Sequence, residues 1–181
     1  MMKNLAYAHM QTEITLNDFI EEMKDFKDEM KIEVKRMNKQ WGELANKMGT
    51  VVEDIVAPNI PRIAKEYFNC TDLDDFMIRR RIKNKKDKTK IKEFDIIAVY
   101  SNKVIINETK STPRLDYIKD FIEDLKILFD YLPEYKGMEI IPIFSSLYLP
   151  DNIINYLTKN KIYAMAMKDD TMDILNPELK I

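Results

Sequence analysis

The chain has little of several residue types, and each shortage excludes a class of function. Its 181 residues include three glycines, one cysteine and one histidine. A single cysteine, Cys70, cannot form a disulfide within the chain and suits a reducing compartment. A lone His9 near the start excludes a histidine-rich metal site and a Ser-His-Asp triad. Few glycines in a chain rich in Lys, Ile and Asn favour a helix-rich protein with few irregular loops.

Long apolar runs and a strong net charge are also missing. No apolar run approaches the roughly 18 residues of a membrane span, and the first residues lack the continuous apolar core of a secretory signal. The net charge is −2 although 33% of the residues are charged. The chain as a whole therefore does not indicate a polyanion partner, and any basic surface must be local. We expect a soluble cytoplasmic protein with no membrane partner.

A heptad pattern runs through the first third of the chain. Residues 1–14 have no clear periodicity and are expected to be flexible, and Thr15 with Asp18 resembles a capping box that opens a helix. From there apolar residues recur at alternating steps of three and four. One extra step of four, between Met30 and Val34, is a stutter. This apolar seam consists of Leu16, Phe19, Met23, Phe26, Met30, Val34, Met37, Trp41, Leu44, Met48, Val51 and Ile55.

The seam predicts a coiled-coil helix that could run from Leu16 to Val56, because no proline interrupts it before Pro58. At 1.5 Å per residue such a helix is about 60 Å long. We assign residues 15–40 to the coiled coil and residues 41–181 to a following domain. A seam of this length overhangs a small domain, so we expect a homo-oligomer joined through residues 16–56. The alternative is one amphipathic helix that lies on its own domain.

A stripe of small residues lies in the second half of this helix, at Gly42, Ala45, Asn46, Gly49 and Ala57. Small residues let a helix approach a sheet closely. Glu53 is the acidic member of the stripe and would be held against that sheet. A shift of helix phase would present Glu43 or Asp54 instead, so these remain alternatives.

A basic segment follows the predicted strand Phe76–Lys83. Nine of the fourteen residues from Arg79 to Lys92 are Arg or Lys, against one acid, Asp87. Concentrated in a nearly neutral protein, this segment is typical of a surface that contacts a phosphate backbone. The alternative is a merely solvated face. The predicted nucleic-acid contacts are Arg79, Arg81, Lys83, Lys85, Lys86, Lys88 and Lys90.

Two Ile- and Val-rich segments, EFDIIAVY and KVIINETK, flank the turn-forming pair Ser101-Asn102 and predict a β-hairpin. With those two residues as the loop, residues whose numbers sum to 203 lie opposite each other. Asp95 then faces Glu108, and the two-residue period places Lys110 on the same face. Carboxylates held that close repel each other, and a divalent cation is the usual compensation.

Asp95, followed after twelve residues by Glu-x-Lys across a hairpin, resembles the PD-(D/E)XK nuclease superfamily. The segment WGELANKMGTVVEDIVAP also resembles the start of an uncharacterised group of such proteins with an N-terminal coiled coil. Phe94 stands where the namesake motif has proline. The resemblance implies an α/β protein in which a long coiled-coil helix precedes a restriction-endonuclease-like αβββαβ core with a mixed sheet, over residues 41–181.

The same resemblance implies a metal-dependent nuclease that hydrolyses phosphodiester bonds, with DNA as the expected substrate. Asp95, Glu108, Glu53 and the backbone carbonyl of Thr109 would bind Mg²⁺ or Mn²⁺. Lys110 would orient or activate the attacking water. Two alternatives remain open. One is a nuclease-like module that binds nucleic acid or protein without cutting, and the other is a coiled-coil assembly protein with a structural C-terminal domain.

Overall fold

The chain divides into two units, Met1–Lys47 and Met48–Ile181. A computed structural model describes the backbone of residues 2–179, and the side chains of residues 9–40, 43, 44 and 47–179. The boundary expected from the sequence was at residues 40 and 41.

The first unit is part of helix α1, Met2–Val56. The helix therefore includes most of the segment 1–14 that was expected to be flexible. Thr15 does not cap it: its hydroxyl donates to the Gln11 carbonyl at 2.9 Å, a bond inside the helix. Threonine hydroxyls bond to the preceding turn as readily as they cap a terminus, which is why the local signal was misleading. Among the residues that the structure describes, no helix combines the length and apolar character needed to cross a membrane.

The apolar seam of α1 stays open to water. Leu16, Phe26 and Met37 keep 56%, 58% and 50% of their surface exposed. Ion pairs on the polar faces of this unit are local, as between Lys31 and Asp28 at 2.8 Å. Four positions discussed from the sequence lie outside the described side chains: Trp41, Gly42, Ala45 and Asn46.

The second unit begins with the end of α1 and continues as a mixed domain of helices and strands. Its further helices are α2, Ile60–Phe68; α3, Leu115–Lys126; α4, Leu128–Tyr131; and α5, Asp151–Lys159, with 3₁₀ turns at Ala57–Asn59 and Pro133–Tyr135. Its strands are β1, Asp75–Lys83; β2, Ile91–Tyr100; β3, Lys103–Thr109; β4, Glu139–Ser145; β5, Tyr163–Lys168; and β6, Thr171–Ile174. Helix, three strands, helix and strand follow one another in the expected αβββαβ order, and α5, β5 and β6 come after them.

The six strands form one mixed sheet in the order β1-β2-β3-β4-β5-β6. The pairs β1–β2, β2–β3 and β5–β6 are antiparallel, whereas β3–β4 and β4–β5 are parallel. The prediction of an α/β protein with a long N-terminal helix and a mixed sheet is confirmed.

Each face of the sheet has its own hydrophobic core. Val52 and Val56 of α1 pack with α2 and with Ile96 and Ala98 of β2 in one cluster. The other cluster joins α3, α4 and α5 to the alternate residues of β2, such as Val99. Because successive residues of a strand point to opposite faces, the second unit has helices on both sides of its sheet.

Candidate active site

The hairpin of β2 and β3 has the predicted register. Tyr100 pairs with Lys103, and the pairing continues to Ile96 with Asn107, so every pair sums to 203. Ser101, the first residue of the loop, has a φ of 33°, in the left-handed region that tight hairpin turns use. This register places Asp95 and Glu108 at the next position beyond the last pair.

Regular pairing of β2 with β3 ends just before Asp95, and pairing of β2 with β1 is interrupted at Asp95. Towards β1, Ile78 pairs with Ile96 and Arg80 with Phe94, but the position between them, Arg79 with Asp95, is unpaired. Arg79 has a φ of 53°, a conformation that costs a residue other than glycine about 1–3 kcal/mol and that often marks functional sites. The sheet is therefore locally distorted at the level of the proposed site.

The Asp95 carboxylate bonds to the backbone of β3 beyond the last regular pair of the hairpin. Its Oδ2 accepts the backbone N–H of Thr109 at 2.7 Å. The side chain is buried, with 12% of its surface exposed. Burial raises the pKa of Asp95 to about 6, and the nearby charge of Glu108 adds to the effect, while Lys110 and the Thr109 N–H oppose it. Asp95 thus carries a negative charge at neutral pH at an energetic cost.

The Lys110 ammonium occupies the centre of this group. It donates to Glu108 Oε1 and, at 3.2 Å, to the Thr109 carbonyl, and it lies 3.8 Å from Asp95 Oδ2. Burial alone would lower the pKa of Lys110, but the carboxylates of Glu108 and Asp95 outweigh it and raise this pKa above its usual value. Asp95, Glu108 and the Thr109 carbonyl were also predicted from the sequence as metal ligands. In the structure, oxygens of all three lie near one positive charge, the Lys110 ammonium.

Glu53, on α1, interacts electrostatically with Asp95 of this group. Its side chain is 16% exposed, whereas that of Asp54 is 62% exposed. Burial raises the pKa of Glu53, the hydrogen bond from Arg79 partly offsets this, and the Asp95 charge raises it further. Of the two candidate acids on this part of α1, Glu53 and Asp54, Glu53 is therefore the better placed to belong to the site.

The third candidate acid, Glu43, lies in the first unit and is 4.0 Å from Lys39. Among the described residues, no three Asp, Glu, His or Cys side chains lie close enough together to hold a metal ion. Any metal at the hairpin would therefore depend on two carboxylates, the Thr109 carbonyl and water.

Arg79 connects α1 to the distorted point of the sheet. Its guanidinium donates to the carboxylates of Glu53 and Asp54, the second at 2.6 Å, and to the Thr50 carbonyl at 3.2 Å. The sequence assigned Arg79 to nucleic-acid contact, but its guanidinium is directed at these acids. The Arg79 side chain is therefore bound to Glu53 and is separate in its contacts from the other basic side chains.

A chain of buried hydrogen bonds links β4 to the site residues of β3, and the sequence analysis did not predict it. Ser145 of β4 donates to Asn107 Oδ1, and the Asn107 amide donates to the Thr109 hydroxyl at 2.8 Å. The Lys110 N–H donates to the Ser145 carbonyl at 2.9 Å. Asn107 and Ser145 are almost fully buried. The available signal was an asparagine inside the otherwise apolar strand KVIINET.

The other predicted nucleic-acid contacts lie on the edge strand β1 and the turn after it. Several have an acidic partner nearby: Arg81 with Glu93 at 3.5 Å, Lys86 with Asp130 at 2.6 Å and Lys90 with Asp87 at 3.7 Å. Three more are exposed and have no acidic partner among the described residues: Lys83, Lys85 and Lys88. Of the predicted contacts, these three are the side chains most available to a phosphate group.

Comparisons with known proteins give little beyond this geometry. No family model and no curated protein matches the chain. A solved structure of Can2 from Sulfobacillus thermosulfidooxidans, in complex with cyclic tetra-adenylate, is similar over 64% of this chain, with 19% identity and a TM-score of 0.44. The similar part spans 31% of Can2. At this level of similarity, the functional argument depends on the site residues themselves.

Proposed function

We propose that the second unit is a metal-dependent nuclease of the PD-(D/E)XK type, with its active site at the end of the β2–β3 hairpin. The main support is the position of Lys110, whose ammonium contacts Asp95, Glu108 and the Thr109 carbonyl together. A set of oxygens that surrounds one cation in this way also suits a metal ion.

The donor set fits Mg²⁺ or Mn²⁺, which prefer oxygen ligands. Asp95, Glu108 and the Thr109 carbonyl would hold the ion, and Glu53 would complete the site through a bridging water. Mg²⁺ commonly keeps several waters and uses only one or two carboxylates, so the absence of a third close acid in the described part of the chain is compatible with it. When bound, the metal lowers the pKa of a coordinated water and stabilises negative charge on phosphate.

The residues around the metal position have separate roles in this proposal. Lys110 must leave the carboxylates when the ion binds, and its ammonium is then available to orient the attacking water and offset charge on the phosphate. Arg79 holds the Glu53 carboxylate in place. The buried chain from Ser145 through Asn107 fixes Thr109, whose N–H in turn orients Asp95.

The substrate in this proposal is a nucleic acid, with DNA as the expected one. Lys83, Lys85 and Lys88 are exposed and lack acidic partners in the described region, so they can contact a phosphate backbone without breaking an ion pair. The seam of α1 joins copies of the chain into a homo-oligomer.

Cleavage of supercoiled plasmid and single-stranded DNA, with Mg²⁺ or Mn²⁺, tests the proposal. We expect the wild type to cut and Lys110→Ala to lose activity. Lys136→Ala, which removes an exposed lysine far along the chain from the hairpin, is the matched control and should cut normally. Equal cutting by all three proteins would indicate a contaminant and contradict the site.

The remaining outcomes distinguish the alternatives. If no protein cuts but DNA is retarded on a gel, the second unit is a binding module. If DNA is neither cut nor retarded, the coiled-coil helix is the main functional element and the second unit is structural.

A further inference from the structure

The seam of α1 is an unpaired apolar surface in the first unit. Helices in proteins obtain most of their stability from packing of an apolar face against a partner. Here the seam residues of the first unit remain about half exposed, over a length that monomeric proteins rarely leave uncovered. The exposed members within residues 9–40 are Leu16, Phe19, Met23, Phe26, Met30, Val34 and Met37.

The two flanks of this seam differ in charge. The residues immediately before Met23, Met30 and Val34 are all acidic: Glu22, Glu29 and Glu33. The residues immediately after Phe19, Phe26 and Met37 include no acid: Ile20, Lys27 and Asn38. In heptad terms these are the g and e positions, which meet across a coiled coil and decide its orientation.

The charge difference favours one arrangement of two identical helices. In an antiparallel pair each g position meets a g position, so glutamates would face glutamates along this segment. In a parallel, in-register pair each g position meets the e position of the next heptad, so Glu22 faces Lys27 of the second copy. That pairing occurs twice by symmetry. The stutter after Met30 also coincides in both helices, so the seams stay in phase.

The ion pairs of the first unit leave these two residues available. Lys31 pairs with Asp28 and Arg36 with Glu33, within single helical turns. Within the described part of the chain, Glu22 and Lys27 have no ion-pair partner. A second copy would supply one to each.

We propose that the seam binds a second copy of this chain as a parallel, in-register two-stranded coiled coil, with Glu22 opposite Lys27 of the other copy. The two helices then run in the same direction, with equivalent residues side by side. This inference rests on the first unit alone and does not depend on nuclease activity.

Sedimentation equilibrium of the full chain tests the partner and the charge pairing. We expect a dimer whose dissociation constant rises about 10-fold in Glu22→Lys, since that change places like charges at two symmetry-related positions. Combining it with Lys27→Glu should restore the wild-type value. Glu21→Lys, a neighbouring change on the outer face of the helix, is the matched control and should dimerise normally. Circular dichroism checks that each variant remains helical.

Cross-linking tests the orientation. In a Cys70→Ser background, Leu16→Cys should form an intermolecular disulfide under mild oxidation, because only a parallel in-register pair brings the two copies of residue 16 together. Asp25→Cys, on the outer face, should not. A monomer at all concentrations, a larger oligomer, or a dimer that tolerates Glu22→Lys and fails to cross-link at residue 16 would each overturn the proposal.

Discussion

Two charged regions of the second unit, adjacent in sequence, differ in how their charges are used. The basic segment from Arg79 to Lys92 carries nine positive side chains, and most of them lie at the surface beside a local acid or in water. The end of the hairpin carries three charges, Asp95, Glu108 and Lys110, and all three are largely buried and in contact. The number of charges therefore says less about function than their burial.

The physical reason for this difference is solvent. Exposed ion pairs contribute about 0–1 kcal/mol each because water and salt screen them. Charges removed from water interact more strongly, and removal of one partner leaves the others uncompensated. We therefore expect single substitutions at the hairpin to have larger effects than any single substitution among the exposed lysines.

The largest expected effect follows from replacing Lys110 by methionine. Loss of the ammonium should lower the single-turnover rate of DNA cleavage by about 10²–10⁴-fold. Metal affinity should stay the same or rise, because Lys110 competes for the three oxygens that the metal needs. Calorimetric titration with Mn²⁺ measures this directly. Weaker metal binding in Lys110→Met would contradict the competition.

Replacing Asp95 should abolish metal binding, and the choice of replacement separates metal from fold. Asp95→Asn keeps an oxygen that can accept the Thr109 N–H, so the variant should stay folded and bind no Mn²⁺. Asp95→Ala leaves that buried N–H unpaired, which costs about 1–3 kcal/mol more. Calorimetry measures the binding of Mn²⁺ by each variant, and urea unfolding without metal measures the stability of each fold. Normal metal binding by Asp95→Ala would exclude this residue as a ligand.

The raised pKa of Asp95 also makes the stability of the fold depend on pH in the absence of metal. The folded carboxyl keeps its proton up to a pKa of about 6, whereas in the unfolded chain it loses the proton near pH 4. Between these values the folded state binds more protons, so the free energy of unfolding falls as pH rises. The fall is at most about 3 kcal/mol. In urea unfolding with a chelator at pH 4.5 and 7, Asp95→Asn should lose this part of the dependence.

Arg79 offers a way to sharpen the comparison, since it belongs to the basic segment in sequence and to the site in space. Arg79→Gln frees Glu53 and Asp54, and we expect cleavage to slow about 10-fold with little change in DNA affinity. Arg81→Gln, the matched control on the same strand, removes an exposed arginine and should weaken DNA binding instead. If both variants show the same pattern, Arg79 has no separate positioning role.

Sequence reasoning succeeded where the determining forces are local. The register of the hairpin follows from the turn Ser101-Asn102 and from the apolar residues of both strands, which lie within a few positions of one another. The roles of Glu53, Asp95, Glu108 and Lys110 remain predictions.

The features that the sequence could not predict depend on long-range contacts. Three consecutive arginines look alike, and only packing of α1 beside the sheet directs Arg79 towards Glu53. Ser145 meets Asn107 across 38 positions of sequence. Strand β6, Thr171–Ile174, has only four residues and gains its identity from pairing with β5, so its own pattern was too short to recognise.

The smallest expected effect concerns one exposed lysine. Lys83→Ala should weaken DNA binding several-fold and reduce the slope of log affinity against log salt by about 1, because one fewer counterion is released. Lys86→Ala is the matched control, and its effect should be smaller because Asp130, 2.6 Å from the Lys86 ammonium, already engages that charge. Fluorescence anisotropy between 50 and 200 mM salt, values at which such slopes are about linear, measures both. If Lys86 matters more than Lys83, ion pairing within the chain does not decide which lysines meet DNA, and the basic segment acts through its total charge.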